Sequence, residues 1–454
     1  MHRTLKTGAP AGALATTLMQ GSADAGTSMF ERLDAVIDCW VSEEKIVGVV
    51  AMIAKGGRIV YRRAAGWADR EKAIPVTEDT IFRHASNTKA IVSVAALKLI
   101  EEGKLSLDDK VSKWLPYFTP RLEDGRRPDI TIRQLMTHTS GLSYVFLEPD
   151  DSAYAVEHVP YGLEQAGPTL EDAMRKIASV PLVYEPGTEW RYSVSTDVLG
   201  AVIEQATGMT LPEAVAHYVT GPLDMSDTTF TVTEPARLAA GYRDGETVAV
   251  RLKDDSDLIL LSDTMRVSLN RNLDPDAYPS GGGGMSGTAR DYLRFLEALR
   301  TGGAPIISVE SAAAMATHAI GDLRAWTEGE GWGFSLGAAV VVDPEKAQTP
   351  QHTGTFAWGG AYGSHWFVDP TAKLSVVVLT NTSVAGVMGE FPAEIRDAIY
   401  GVKHDQKPGP GRAEMRTWPN LTHHSVKYTT SCTTDKCDGV GESSYAGEKR
   451  NIKE

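Results

Sequence analysis

His84-Ala85-Ser86-Asn87-Thr88-Lys89 opens the most apolar helix-period stretch of this 454-residue chain: Ala90, Ile91, Val92, Val94, Ala95, Ala96, Leu97, Leu99 and Ile100 surround almost every face, and Gly103 supplies a C′ stop. A helix that is apolar all round must be enclosed by other elements, so Ser86 to Glu102 is expected to form the buried centre of the fold. A lysine on such a helix is out of place. Ser86 and Lys89 stand three residues apart on one face, and this S-x-x-K spacing sets a hydroxyl beside an amine. Burial and the positive end of the helix dipole both disfavour the ammonium form, so the Lys89 pKa is expected to fall and the amine to serve as a base for the serine. Backbone N–H groups at the helix start would face the seryl oxygen, supplying half of an oxyanion hole. Alone, S-x-x-K is a common chance pattern in which Ser caps a helix and Lys lies on the surface. That explanation covers Ser86 but not a lysine among apolar neighbours.

Outward from this helix the chain changes character in both directions. Val47 to Ala54 and Arg58 to Ala64, joined by Gly56-Gly57, carry a β-hairpin signal with β-branched enrichment. Leu336 to Val342, Gly363 to Val368 and Leu374 to Leu379 repeat the strand character near the other end, and Pro392 to Tyr400 reads as a closing helix. Strands from the two ends are expected to share one antiparallel sheet. Between them, helix-period segments at Leu170 to Ile177, Asp197 to Thr207 and Ala289 to Leu299 are separated by Pro/Gly-rich loops. The expectation is an α/β lobe (29–83 and 290–402) interrupted by a mostly helical lobe (84–289), with the ligand site in the cleft between them.

Two further segments bear polar or glycine-rich chemistry. Glu185-Pro186-Gly187-Thr188-Glu189-Trp190-Arg191-Tyr192-Ser193-Val194 places a tyrosine on a loop just before the helix from Asp197, where taken alone it would be read as a packing residue. His352-Thr353-Gly354-Thr355-Phe356-Ala357-Trp358-Gly359-Gly360-Ala361-Tyr362-Gly363 is a glycine-rich strand to which a ligand could come close. In this order and spacing the three elements resemble the serine β-lactamase-like superfamily, whose signatures are S-x-x-K, Y-x-N and K-T-G. The resemblance is to its family VIII carboxylesterase branch. It runs along most of residues 29 to 402 through Gly66-Trp67-Ala68-Asp69, Leu135-Met136-Thr137-His138-Thr139-Ser140-Gly141-Leu142, Pro279-Ser280-Gly281-Gly282-Gly283-Gly284-Met285 and Trp366-Phe367-Val368-Asp369-Pro370. It implies an α/β (α+β) fold with an antiparallel sheet flanked by helices plus a mostly helical lobe. It also implies a nucleophile at Ser86, a general base at Lys89 and a proton relay at Tyr192. Trp358, Gly359 and Gly360 stand in place of K-T-G, and the N–H of Ala361 joins that of Ser86 in the oxyanion hole. Tyr144 matches a pocket aromatic, and packing is an equal reading of it.

The sequence departs from the pattern twice. Val194 replaces the asparagine of Y-x-N and Trp358 the lysine of K-T-G, which removes polar groups used around a β-lactam amide and carboxylate. Such a site should prefer uncharged acyl groups, so the expected reaction is hydrolysis of short-chain carboxylic esters through an acyl-enzyme. A β-lactamase, a D,D-peptidase, an acyltransferase and a silent acyl-binding sensor are the alternatives on this scaffold. His352-Thr353-Gly354 is a second candidate for the third motif. Gly333-Phe334-Ser335-Leu336-Gly337 fits the G-x-S-x-G elbow, but that motif needs a strand before the serine and a helix after it; here Glu328 to Gly333 reads as loop and Ala338 to Val342 as strand. His138 and His352 are read as structural, since the lysine mechanism needs neither.

Composition narrows the function classes. With 45 basic and 59 acidic residues the net charge is −14, and no basic patch offsets it, which speaks against nucleic acid and anionic membranes as partners. A small-molecule ester is the expected partner, the oligomeric state is not legible, and no metal or other cofactor is called for because there is no H-E-x-x-H, no P-loop and no G-x-G-x-x-G after a strand. Cys39, Cys432 and Cys437 are too few for a disulfide framework and suggest a reducing compartment. A cytoplasmic location is expected, or a periplasmic or secreted one if residues 1–25, with Arg3, Lys6 and Ala23-Asp24-Ala25, form a signal peptide. Residues 1–28 are otherwise read as a flexible leader. Residues 403–454 are read as a disordered or vector-derived tail, whose Cys432, Cys437, His423 and His424 match no strong zinc spacing. The leader carries a net +1 and the tail +2, so the single catalytic domain expected at 29–402 carries −17.

Overall fold

The computed structural model describes residues 27–164, 167–260, 263–325 and 327–402. The sequence-predicted leader, all but its last two residues, and the tail with Cys432, Cys437, His423 and His424 lie outside these. The frame is an eight-stranded antiparallel sheet. Its strands are β1 (Gly48–Lys55), β2 (Arg58–Asp69), β3 (Ile74–Pro75), β4 (Trp332–Phe334), β5 (Ala339–Val341), β6 (Phe356–Gly360), β7 (Ser364–Asp369) and β8 (Leu374–Thr380), in the order β4-β5-β6-β7-β8-β1-β2-β3. The two chain ends meet in the middle: β1 pairs with β8 from Val49↔Thr380 to Lys55↔Leu374. Gly56 and Gly57 turn the β1–β2 hairpin at φ 59° and 84°, the left-handed pair that a two-residue loop between twisted strands requires.

Because β1 is central, its side chains alternate between two cores. Val49, Ala51 and Ile53 face a layer made by α1 (Met29–Ser42) and the closing helix α6 (Glu390–Tyr400), where Leu33, Ile37, Phe391 and Ile395 are wholly buried. Val50, Met52 and Ala54 face the larger core, which contains α2 (Thr88–Glu101) and α5 (Ala289–Arg300). Each fully buried Leu or Ile contributes about 1.5–3 kcal/mol to this sandwich. Polar bonds also tie the two helices of the first layer, among them Trp40 Nε1 to Glu394 Oε2 at 2.8 Å and Arg32 Nε to the Ala398 carbonyl at 2.9 Å.

Beyond the sheet, α2 packs against α4 (Ser195–Thr207), and α3 (Leu170–Ser179) packs on α4. From Thr88 to Leu97 and again at Leu99 every residue of α2 is buried, as its sequence demands. Gly103 follows at φ 68° and ends the helix. One reading of the sequence is corrected: the helix starts at Thr88 rather than Ser86, because Ala85–Asn87 form a separate 3₁₀ turn. The middle stretch also holds a hairpin that was not read from the sequence, Ser256–Leu260 with Asp263–Val267, which buries Leu258, Met265 and Val267. Among the described residues no helix is long and apolar enough to cross a membrane.

Candidate active site

Ser86 occupies the 3₁₀ turn between β-structure and α2. Its predecessor Ala85 is fully buried at φ 44°, a strained conformation for a residue with a Cβ, of the kind that folds concentrate at functional positions. Strand β6 presses against the turn: a Cβ on Gly360 would lie 2.1 Å from the His84 carbonyl oxygen and 2.7 Å from Ser364 Oγ. The turn is pinned by Asn87, whose Nδ2 donates to Ser364 Oγ at 2.9 Å and whose carbonyl accepts from the Tyr292 hydroxyl at 2.9 Å. Gly360 is therefore a close-approach glycine that lets strand β6 pack against the turn carrying Ser86.

Ser86 Oγ lies 3.1 Å from Lys89 Nζ and 2.5 Å from the Tyr192 hydroxyl. Lys89 is 2% exposed, so its amine is enclosed as the apolar helix implied. Nζ donates to the carbonyl of Gly282 at 2.7 Å and lies 4.7 Å from the ring centroid of Tyr192 and 5.3 Å from that of Tyr144. Tyr192 comes from the loop before α4, held from behind by His138, whose ring lies 5.1 Å away and whose Nδ1 is 3.1 Å from Ser193 Oγ. Burial, with the nearby charge of Lys89, holds His138 well below the usual imidazole range, so it stays neutral as a support. The hydroxyl of Ser195 links Ser193 and Ser140 at 2.7 Å each, which satisfies this buried polar patch.

The remaining sequence-predicted residues also gather here. Tyr144 is 3% exposed and packs 5.0 Å from the Tyr192 ring and 4.8 Å from Phe146. Burial, reinforced by Tyr192 and Asp197, pushes its phenol well above the usual range. Trp358 is half-buried on β6, with its ring 5.3 Å from Tyr192 and 5.4 Å from Phe334. Where a K-T-G lysine would bring a cation, this site has an aromatic wall. Val194 is wholly buried and offers no polar group.

The decoys fall away for reasons partly different from those expected. A strand, Trp332–Phe334, does precede Ser335, so the loop read at Glu328 to Gly333 is wrong at its end. After Ser335 the chain turns into β5 rather than into a helix, and the Ser335 hydroxyl is buried on the carbonyl of Ala338 at 2.9 Å. His352 faces Asp369, Nδ1 to Oδ2 at 2.7 Å, and the same oxygen takes the Tyr400 hydroxyl, so Asp369 ties the H-T-G segment and α6 to the end of β7. Phe334, the carbonyl of Gly282 and Asp197 were not singled out from the sequence. For Asp197 a signal existed: an acid at the head of a helix whose next six residues are all buried.

A family model described as Beta-lactamase matches residues 28–398. Esterase EstB of Burkholderia gladioli is 46% identical over 376 residues, covering 82% of this chain and 95% of the relative. Among solved structures, EstCE1, a hydrolase with promiscuous acyltransferase activity, is 44% identical with a TM-score of 0.80 over 82% of this chain and 98% of its own. Simvastatin synthase (LovD) from Aspergillus terreus, 24% identical with a TM-score of 0.67 over 81% and 97% of the two chains, shares the fold.

Proposed function

Because the chain belongs to the β-lactamase family, we propose that Ser86, Lys89 and Tyr192 are the machinery of a carboxylesterase that forms an acyl-enzyme on Ser86. The scaffold is that of a β-lactamase-like serine hydrolase. One observation carries the reading: a single hydroxyl oxygen lies within 3.1 Å of a buried amine and 2.5 Å of a phenol. Lys89 takes the Ser86 proton as Oγ bonds to the ester carbonyl carbon, and the N–H groups of Ser86 and Ala361 receive the oxyanion. The intermediate then collapses and the C–O bond to the alcohol breaks. Tyr192 gives its proton to the departing oxygen and recovers one from Lys89, whose Nζ lies over its ring. Water repeats the sequence in the second half and releases the acid.

Val194 and Trp358 support uncharged acyl groups, since neither offers a charge to a carboxylate beside the scissile bond. The acidic body, net −17, supports a neutral small molecule as partner rather than nucleic acid or an anionic membrane. Hydrolysis rates on p-nitrophenyl esters of increasing acyl length, against a chromogenic cephalosporin and with Ser86→Ala as control, test the proposal. Ester turnover that disappears in the variant supports it, and a preference for the cephalosporin refutes it. A second reading, transfer of the acyl group to an alcohol, is favoured by the aromatic wall of Tyr192, Trp358 and Phe334, which limits water around the acyl-enzyme. EstCE1 is a hydrolase with promiscuous acyltransferase activity. Addition of a primary alcohol to the assay would divert product from acid to ester.

A further inference from the structure

One buried acid has no part in the chemistry above. Asp197, in the first turn of α4, is wholly enclosed. Its Oδ1 accepts from Ser280 Oγ at 2.5 Å and from the N–H of Gly282 at 3.3 Å, while its Oδ2 has no hydrogen-bond partner. At the other end of the same residue, the carbonyl of Gly282 accepts from Lys89 Nζ at 2.7 Å. Gly282 is thus bonded on one side to the carboxylate and on the other to the amine. Nothing larger fits between them: a Cβ at 282 would lie 2.4 Å from Asp197 Oδ2 and 3.2 Å from the Tyr144 hydroxyl. An enclosed carboxylate with one oxygen unsatisfied is costly unless a nearby cation balances it.

We propose that Asp197 is the positioning and counter-charge residue of Lys89: it fixes the 280–282 turn that aims Nζ at Ser86, and its negative charge stabilises the ammonium formed when Lys89 takes the seryl proton. The inference rests on the esterase reading and deepens it. The groups facing this pair are Arg271 from the 3₁₀ turn Arg271–Leu273, the phenols of Tyr144, Tyr192 and Tyr278, and the imidazole of His138. Burial raises the Asp197 carboxyl above its usual range, outweighing the Ser280 hydroxyl, Lys89, the Gly282 N–H and Arg271, which draw it down. Burial also keeps the Tyr144 and Tyr278 phenols protonated and helps keep His138 neutral. Asp197 is thus the buried carboxyl that faces Lys89 across Gly282.

Asp197→Asn keeps the shape and the Oδ1 acceptor and removes the charge. Lys89 becomes a weaker base, so the acidic limb of the kcat/KM profile on p-nitrophenyl butyrate moves about one pH unit lower and the plateau falls about ten-fold. Ser280→Ala removes one bond to the carboxylate but no charge, and its acidic limb stays at the wild-type pH. An Asp197→Asn limb that does not move, even at lower activity, overturns the inference and leaves Asp197 a packing residue. Should that variant not fold, Asp197→Ser removes the same charge with less bulk, and the same two outcomes apply. The failures separate cleanly. A wild type that turns over no ester, or an active Ser86→Ala, defeats the esterase reading. An active wild type with dead Ser86→Ala and an unmoved Asp197 limb defeats only this inference.

Discussion

Replacing Gly360 with alanine tests whether strand β6 supplies part of the oxyanion hole. The added Cβ would stand 2.1 Å from the His84 carbonyl oxygen, 0.9 Å inside the 3.0 Å below which real Cβ atoms essentially never sit. The obstacle is backbone, held by the buried turn of Ala85 and Asn87, so no side chain can swing aside. Strand and turn must separate by about 1 Å, and Ala361, the next residue, moves with the strand. An oxyanion donor acts only at about 2.7–3.1 Å, and losing one costs about 10²–10³-fold in kcat. A misplacement of about 1 Å carries a similar loss. Gly360→Ala should therefore lower kcat on p-nitrophenyl butyrate by about 10²-fold, with a much smaller change in KM. Thermal unfolding should show a cost of about 1–3 kcal/mol from overpacking. A folded variant with kcat within about three-fold of wild type would refute the assignment of the Ala361 N–H to the oxyanion hole.

Three other outcomes are expected. Ser86→Ala should abolish esterase turnover, by at least about 10⁴-fold, with an unchanged circular dichroism spectrum, whereas Ser335→Ala, which removes only a bond to the Ala338 carbonyl, should retain activity within a few-fold. Glu148 Oε1 accepts from Arg191 Nη1 at 2.6 Å and from Ser143 Oγ at 2.5 Å with both charged side chains mostly enclosed; Glu148→Gln weakens the anchor of the Tyr192 loop and should cost about 2 kcal/mol in chemical denaturation. Burial lowers the folded-state pKa of His84 to about 3 and that of His365 to about 4, from 6.5. The unfolded chain binds the extra protons, so stability is full above pH 6.5 and falls as the pH drops towards 4, by on the order of 3 kcal/mol for each histidine. His365→Gln should flatten that acid limb in urea midpoints measured between pH 7 and 4, and an unchanged slope would remove His365 from the account.

The parts of the site that could be read from sequence were those that broke a local rule. Lys89 on an apolar helix has no innocent explanation, and the fold encloses it at 2% exposure. Gly359-Gly360 in a strand gives up packing and strand propensity, and the close approach to the His84 carbonyl is what those losses serve. Tyr192 broke no rule, because a tyrosine near a helix start packs well anywhere; only the order of the three motifs singled it out. The edge strand Trp332–Phe334 was missed because three residues carry too little alternation to register, and the hairpin 256–267 because Leu258-Ile259-Leu260 runs apolar without a break.

Asp197 shows where such reading stops. An acid in the first turn of a helix has a ready explanation, complementing the positive dipole end, and that explanation hid the same anomaly that exposed Lys89. The two charges lie 108 residues apart on different helices, each unremarkable or odd only by its own surroundings. What joins them is Gly282, a residue with no side chain, inside a run of four glycines that offers no pattern to distinguish one from the next. Chemistry carried by side chains leaves a mark in sequence; chemistry held by the backbone N–H and C=O of one glycine does not. The role of Gly282 is visible only once the fold has set its N–H on the carboxyl and its C=O on the amine.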